Sequence, residues 1–104
     1  MKNIVEGHLY EVPNFDNPST PGQQLQFIHK VPTHPGSTEL EVKADGTTNE
    51  EILQVLIDRL KYLQAKFPCR ENAIVITKLE ESLMWLNKRT EDRKQRNVEG
   101  KQIV

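Results

Sequence analysis

Residues 47–93 read TTNEEILQVLIDRLKYLQAKFPCRENAIVITKLEESLMWLNKRTEDR, and this stretch decides the fold. Thr48-Asn49-Glu50-Glu51 has the form of a capping box. In that motif the Thr48 hydroxyl accepts from the Glu51 amide and the Glu51 carboxylate reaches back to the Thr48 amide. Glu50 and Glu51 also suit the positive end of a helix dipole. Ile52, Val55, Leu56, Leu60, Leu63 and Phe67 follow at helical spacing, which predicts a helix over 49–66. Pro68 ends it and can start the next helix from a first-turn position. A second helix is predicted over 69–93, where Ile76, Leu79, Leu83 and Leu86 recur at alternating intervals of three and four. That is a seam for helix–helix packing. The connection is short, so the two helices form an antiparallel hairpin. Ala73, Met84 and Trp85 widen the apolar surface beyond one seam. Two helices cannot bury so broad a surface alone, and the surplus is expected against the N-terminal strands or another subunit.

Upstream, the composition changes. All the His residues, five of the six Pro and four of the five Gly precede residue 47. Residues 12–24, VPNFDNPSTPGQQ, are dense in turn formers and predict an irregular, exposed loop. Leu25–Val31 alternates loosely, with Leu25, Phe27, His29 and Val31 on one side. Thr38–Lys43 alternates more cleanly, with Leu40 and Val42 inward. Both read as strands, joined as a β-hairpin through the Pro32–Ser37 turn. Asp45-Gly46 reads as a tight turn closing the second strand. The expected class is therefore α+β: a small N-terminal antiparallel β-hairpin region at 1–46, then a long antiparallel helical hairpin with a C-terminal tail at 47–104. The tail from Asn97 is expected to be ordered only if docked.

Composition narrows the function. A chain of 104 residues allows one domain with a thin core, and 36% hydrophobic residues is low for a self-sufficient monomer, so an oligomer is expected. Fourteen basic against fifteen acidic residues argues against a general nucleic-acid coat. No run approaches the roughly 20 apolar residues that span a bilayer, and no apolar leader follows the first Met. One cysteine, Cys69, forms no internal disulfide and anchors no cysteine-based zinc site, which fits a reducing cytosol. His8, His29 and His34 lack the spacing of a helical metal site, so neither metal nor cofactor is expected. There is no GxSxG, no P-loop and no Cys/His nucleophile pair with an obvious third member. Glu80 and Glu81 are adjacent on a helix and point about 100° apart, which makes them poor acid–base partners. Nothing in the chain forms a catalytic constellation.

Binding residues are easier to find. Arg70, Asn72, Thr77 and Lys78 open the second helix. An Arg clamps a phosphate through two parallel hydrogen bonds, Asn reads a base edge and Thr donates to a phosphate oxygen. A helix N-terminus adds backbone N–H groups and positive potential. The plain alternative is surface ion pairing by Arg70, a solvated Asn72 and a Thr77 hydroxyl bonded back to its own helix. Lys88, Arg89, Arg93, Lys94 and Arg96 form a second cluster, interrupted by Glu91 and Asp92. Most of it reads as a solvated helix end with i,i+4 pairs such as Lys88 with Asp92. Arg89, closest to the apolar body, is its best ligand candidate. Tyr62 and Trp85 could stack on a base. Trp85 reads more readily as core or interface, while Tyr62 lies off the seam.

Three strings carry a resemblance. They are Phe67-Pro68-Cys69-Arg70-Glu71-Asn72-Ala73, Ile76-Thr77-Lys78-Leu79-Glu80-Glu81, and Met84-Trp85-Leu86 with Arg89. Together with the lead-in Asp45–Glu51 and Leu56–Leu60, they resemble the helical hairpin shared by phage anti-CBASS and Thoeris anti-defence sponges. The match covers roughly the last half of the chain, and the strands before residue 45 resemble the Thoeris-type members only loosely. The resemblance implies sequestration without chemistry: cyclic ADP-ribose isomers and cyclic di- and trinucleotides are bound, and the effector is starved of its signal. It also implies a homohexamer, a trimer of dimers with pockets between protomers, acting in the host bacterial cytoplasm. By similarity, Arg70 and Thr77 would lie near a trinucleotide-type pocket. Tyr62, Asn72 and Arg89 match positions lining a cyclic ADP-ribose or dinucleotide pocket. An N-terminal basic residue would join the latter, with Lys30 and Lys43 as candidates. The rival expectations are a helical protein-interaction module with no nucleotide ligand, and a phosphodiesterase acting on the same signals.

Overall fold

A computed structural model describes residues 1–104, and it is α+β: short antiparallel strands in two small sheets, then two helices forming a hairpin. The chain divides into two compact units, Met1–Thr48 and Asn49–Val104.

In the first unit, β1 (Lys2–Val5), β2 (Leu9–Val12) and β3 (Gln23–Gln26) form an antiparallel sheet in that order. β4 (His29–Pro32) and β5 (Leu40–Ala44) form a separate antiparallel pair. The expected hairpin is this β4–β5 pair. Its turn runs from His34 to Ser37, closed by the Ser37 amide donating to the His34 carbonyl at 3.1 Å. Pro35 precedes Gly36, whose φ of 82° is the left-handed geometry a type II turn requires at that position.

Several expectations give way here. Leu25–Val31 is not one strand, because it breaks after Gln26 and feeds two sheets. Backbone partners explain the break: the Phe27 amide donates to the His8 carbonyl at 2.7 Å and the Ile28 amide to Thr47 at 2.8 Å. The irregular loop is shorter than 12–24, since β2 runs to Val12 and β3 begins at Gln23. Val42 is 55% exposed rather than inward, because a two-stranded sheet has little to cover it. Gly46 is needed less for a turn than for close approach, since a methyl group there would overlap the Gln26 carbonyl. The β1–β2 hairpin is an addition: all four residues of β1 are exposed and gave no alternation to read.

In the second unit, α1 spans Asn49–Lys66, with Glu50 and Glu51 in its first turn, and α2 spans Arg70–Gln95. Pro68 lies before the second helix rather than inside its first turn. Cys69 is the N-cap, with extended backbone and its Sγ accepting from the Asn72 amide at 3.4 Å. Gln64 fixes the connection by bonding both backbone groups of Cys69: its Nε2 donates to the carbonyl at 2.9 Å and its Oε1 accepts from the amide at 3.0 Å. The hairpin core centres on Ile57 and Ile76, flanked by half-buried Leu53, Leu60, Leu79, Leu83 and Leu86. The α2 seam is the expected one. The α1 stripe is rotated from the expected one: Ile57 and Leu53 face inward, while Val55, Leu56 and Phe67 are exposed.

The end of α2 is built, not frayed. Asn97 has φ 58°, its amide donates to Lys94 O at 3.1 Å and the Val98 amide donates to Arg93 O at 2.9 Å. That bond pair is a Schellman stop, in which a left-handed residue satisfies the last carbonyls of the helix. Gly100, at φ 79°, then turns the tail. No helix is long and apolar enough to cross a membrane.

Candidate functional site

The first turns of α2 place Arg70, Thr77 and Lys78 around one concavity of about 320 Å³, floored by Ala73 and Ile74. Helical phase explains the grouping. Thr77 follows Arg70 by seven residues, about two turns, and so returns to nearly the same side. The two cations are exposed at the rim, while the Ala73 and Ile74 side chains offer an apolar floor. The Thr77 hydroxyl donates to the Ala73 carbonyl at 3.2 Å, so it presents its lone pairs outward unless it rotates. The Asn72 amide is already capped by Cys69 Sγ, and the Ala73 amide bonds the Cys69 carbonyl at 3.3 Å. The helix terminus therefore contributes fewer available N–H groups than its position implies.

The other candidates lie elsewhere on the hairpin. Asn72 is half-buried and shares the phase of buried Ile76 one turn on. On the helical wheel it stands about 160° from Arg70 and about 140° from Thr77. Arg89 is exposed on roughly the same side as Lys78 but about 16 Å further along the axis, beyond the reach of a small ligand seated on Arg70. Tyr62 is exposed on α1, with Lys66 Nζ 4.8 Å from its ring centroid, a cation–π pair. Trp85, 55% exposed, is not core within this chain, and Lys88 Nζ sits 5.0 Å over its ring. The α2 concavity thus gathers three of the six candidates, and a single chain does not bring the remaining three to them.

Two features escaped the sequence reading. A larger groove of about 1010 Å³ runs between the helices, with Ile57, Leu83 and Met84 in its floor and Asp58, Glu80 and Glu91 among its lining groups. A Lys61–Glu80 ion pair of 3.1 Å spans it. The signal was the shared phase of Gln54, Asp58 and Lys61 on α1. The second is Arg93, grouped by sequence with solvated cations but only 5% exposed. In the same helix end, Asp92 pairs with Arg96 at 3.0 Å rather than with Lys88.

In the first unit, the His8 and His29 rings stack at 3.6 Å between centroids and 6° between planes. Burial, then the His8 and Lys43 charges, lower the His29 pKa from its usual value.

Fold and site together define a helical-hairpin protein with a cationic, apolar-floored concavity on its second helix and a small β-rich unit before it. Residues 24–91 match the family described as Acb2/Tad1, hairpin domain, and the chain belongs to that family. It is also 60% identical over 58 residues to Thoeris anti-defense 1 of Bacillus phage SBSphiJ7. That match covers 55% of this chain and 41% of the relative, so the chain spans about two fifths of the relative's length.

Proposed function

We propose that this protein is a phage anti-defence sponge, which binds cyclic nucleotide immune signals and sequesters them in the host bacterial cytoplasm without degrading them. Family membership and the similarity to Thoeris anti-defense 1 support the anti-defence role. The observation that carries the ligand class is the grouping of Arg70, Thr77 and Lys78 over Ala73 and Ile74. A guanidinium and an ammonium meet phosphate oxygens by charge-assisted hydrogen bonds, and the apolar floor accepts a ring face. These groups are suited to holding a phosphate. For a sponge, every contact to the ground state contributes, whereas an enzyme gains from contacts made only in the transition state.

The ligands are cyclic ADP-ribose isomers and cyclic di- and trinucleotides. Arg70, Thr77 and Lys78 serve one pocket. Tyr62, Asn72 and Arg89 serve another, completed across protomers of a hexamer built as a trimer of dimers. Exposed Val55, Phe67, Met84 and Trp85 support burial between subunits. Calorimetric titration with a panel of these cyclic nucleotides tests the reading. Submicromolar binding of at least one panel member, weakened by Arg70→Ala or Arg89→Ala, is the expected result. No binding across the panel overturns it. The interhelical groove, with its apolar floor and charged rim, would then favour the second reading, a helical module that docks a protein partner.

A further inference from the structure

Arg93 is the most deeply buried charged residue of the chain, at 5% exposure, and its guanidinium is engaged by the residues that follow its own helix. Nη1 donates to the Ile103 carbonyl, and Nη2 donates to Val98 O at 2.9 Å and Lys101 O at 2.6 Å. Nε lies 3.5 Å from the Glu99 carboxylate. Three carbonyls and one carboxylate thus converge on one planar cation, a geometry that a guanidinium fork supplies and an ammonium does not. The convergence is prepared by the backbone. The left-handed Asn97 reverses the chain at the helix stop, and Gly100 turns it again, with the Lys101 amide donating to Val98 O at 3.0 Å.

We propose that residues 98–104 form a strap, and that Arg93 is the latch that closes it onto α2, so that the strap opens and closes as one unit. Apolar burial holds only its start, where Val98 is half-buried, because Ile103 is 39% and Val104 99% exposed. The contact of Arg96 Nη1 with the Val104 carbonyl, 3.0 Å, is exposed and correspondingly weak. The bonds to Arg93 are made by a charged donor away from water, where each is stronger and where losing them together leaves a cation without partners. Cooperative release follows from that arrangement: carbonyls separated along the tail share one cation, and its exposure to water frees them all.

Amide hydrogen exchange and guanidinium NMR of the full chain test the latch, comparing wild type with Arg93→Lys. The wild type is expected to show slowly exchanging Arg93 Nη–H resonances and a protected Lys101 amide. In Arg93→Lys, the Lys101 amide, which donates to Val98 O, is expected to exchange faster by about tenfold or more, the loss of at least one charge-assisted hydrogen bond. Amides from Ile76 to Leu86 keep their protection. Rapidly exchanging Arg93 Nη–H groups in the wild type overturn the proposal without any variant. So does unchanged tail exchange in Arg93→Lys, or loss of protection along α2 together with the tail, which would make Arg93 part of the helix's own stability.

Discussion

Arg70 and Thr77 stand about two turns apart on one side of α2, and Arg70 is the side chain on which the ligand reading leans most. A guanidinium–phosphate contact is worth roughly 1.5–3 kcal/mol, so Arg70→Ala should weaken cyclic nucleotide binding by about ten- to a hundred-fold. Calorimetry measures that loss, and circular dichroism checks that the helices persist. The residue scale also holds a titration. Burial, the stacked His8 ring and the Lys43 ammonium disfavour the protonated form of His29. The folded state then binds this proton more weakly than the unfolded chain, so stability is fullest above the ordinary histidine range and falls as pH drops below about 6.5. Thermal unfolding at pH 7.5 and 5.5 should show a lower Tm at acid pH. His29→Phe, which keeps a ring in the stack but carries no proton, should flatten that dependence.

At the scale of elements, the helical hairpin depends on a narrow core. Ile57 and Ile76 are its buried hydrophobic centre, so Ile57→Ala should cost about 2–4 kcal/mol in chemical denaturation, while Val55→Ala on the exposed side should cost much less in a lone chain. The helix positions were legible because their punctuation is local. The Thr48–Glu51 box and Pro68 bracket α1, and the seam of α2 is too regular to misplace. The inward face of α1 was not legible. Ile52, Leu53, Val55, Leu56 and Ile57 spread apolar surface over so wide an arc that only the partner helix selects the stripe. Strand β1 escaped for the opposite reason, since it buries nothing and carries no alternation. Of the candidate site, the Arg70–Thr77–Lys78 grouping was readable because helical periodicity alone creates it. The inner position of Asn72 was concealed until the core face of α2 was known. Burial of Arg93 depends on the tail folding back through Asn97 and Gly100, which no spacing within the helix reports.

The whole molecule presents more apolar surface than a lone chain of this size should leave in water, with Val55 at 61%, Phe67 at 83% and Trp85 at 55% exposure. Subunit association, as proposed, would cover that surface, and Trp85→Ala should lower the mass measured by light scattering if that side chain lies between protomers. An unchanged mass with weaker ligand binding would make Trp85 a stacking platform instead. As proposed, the protein holds a cyclic nucleotide and does nothing else to it. The most direct test incubates it with a stoichiometric amount of the tightest-binding panel member, removes unbound ligand, denatures the complex by heat and identifies by chromatography what is released. Recovery of intact ligand in proportion to protein is the expected outcome. Recovery of a cleaved or linearised product, or of no ligand, would contradict it.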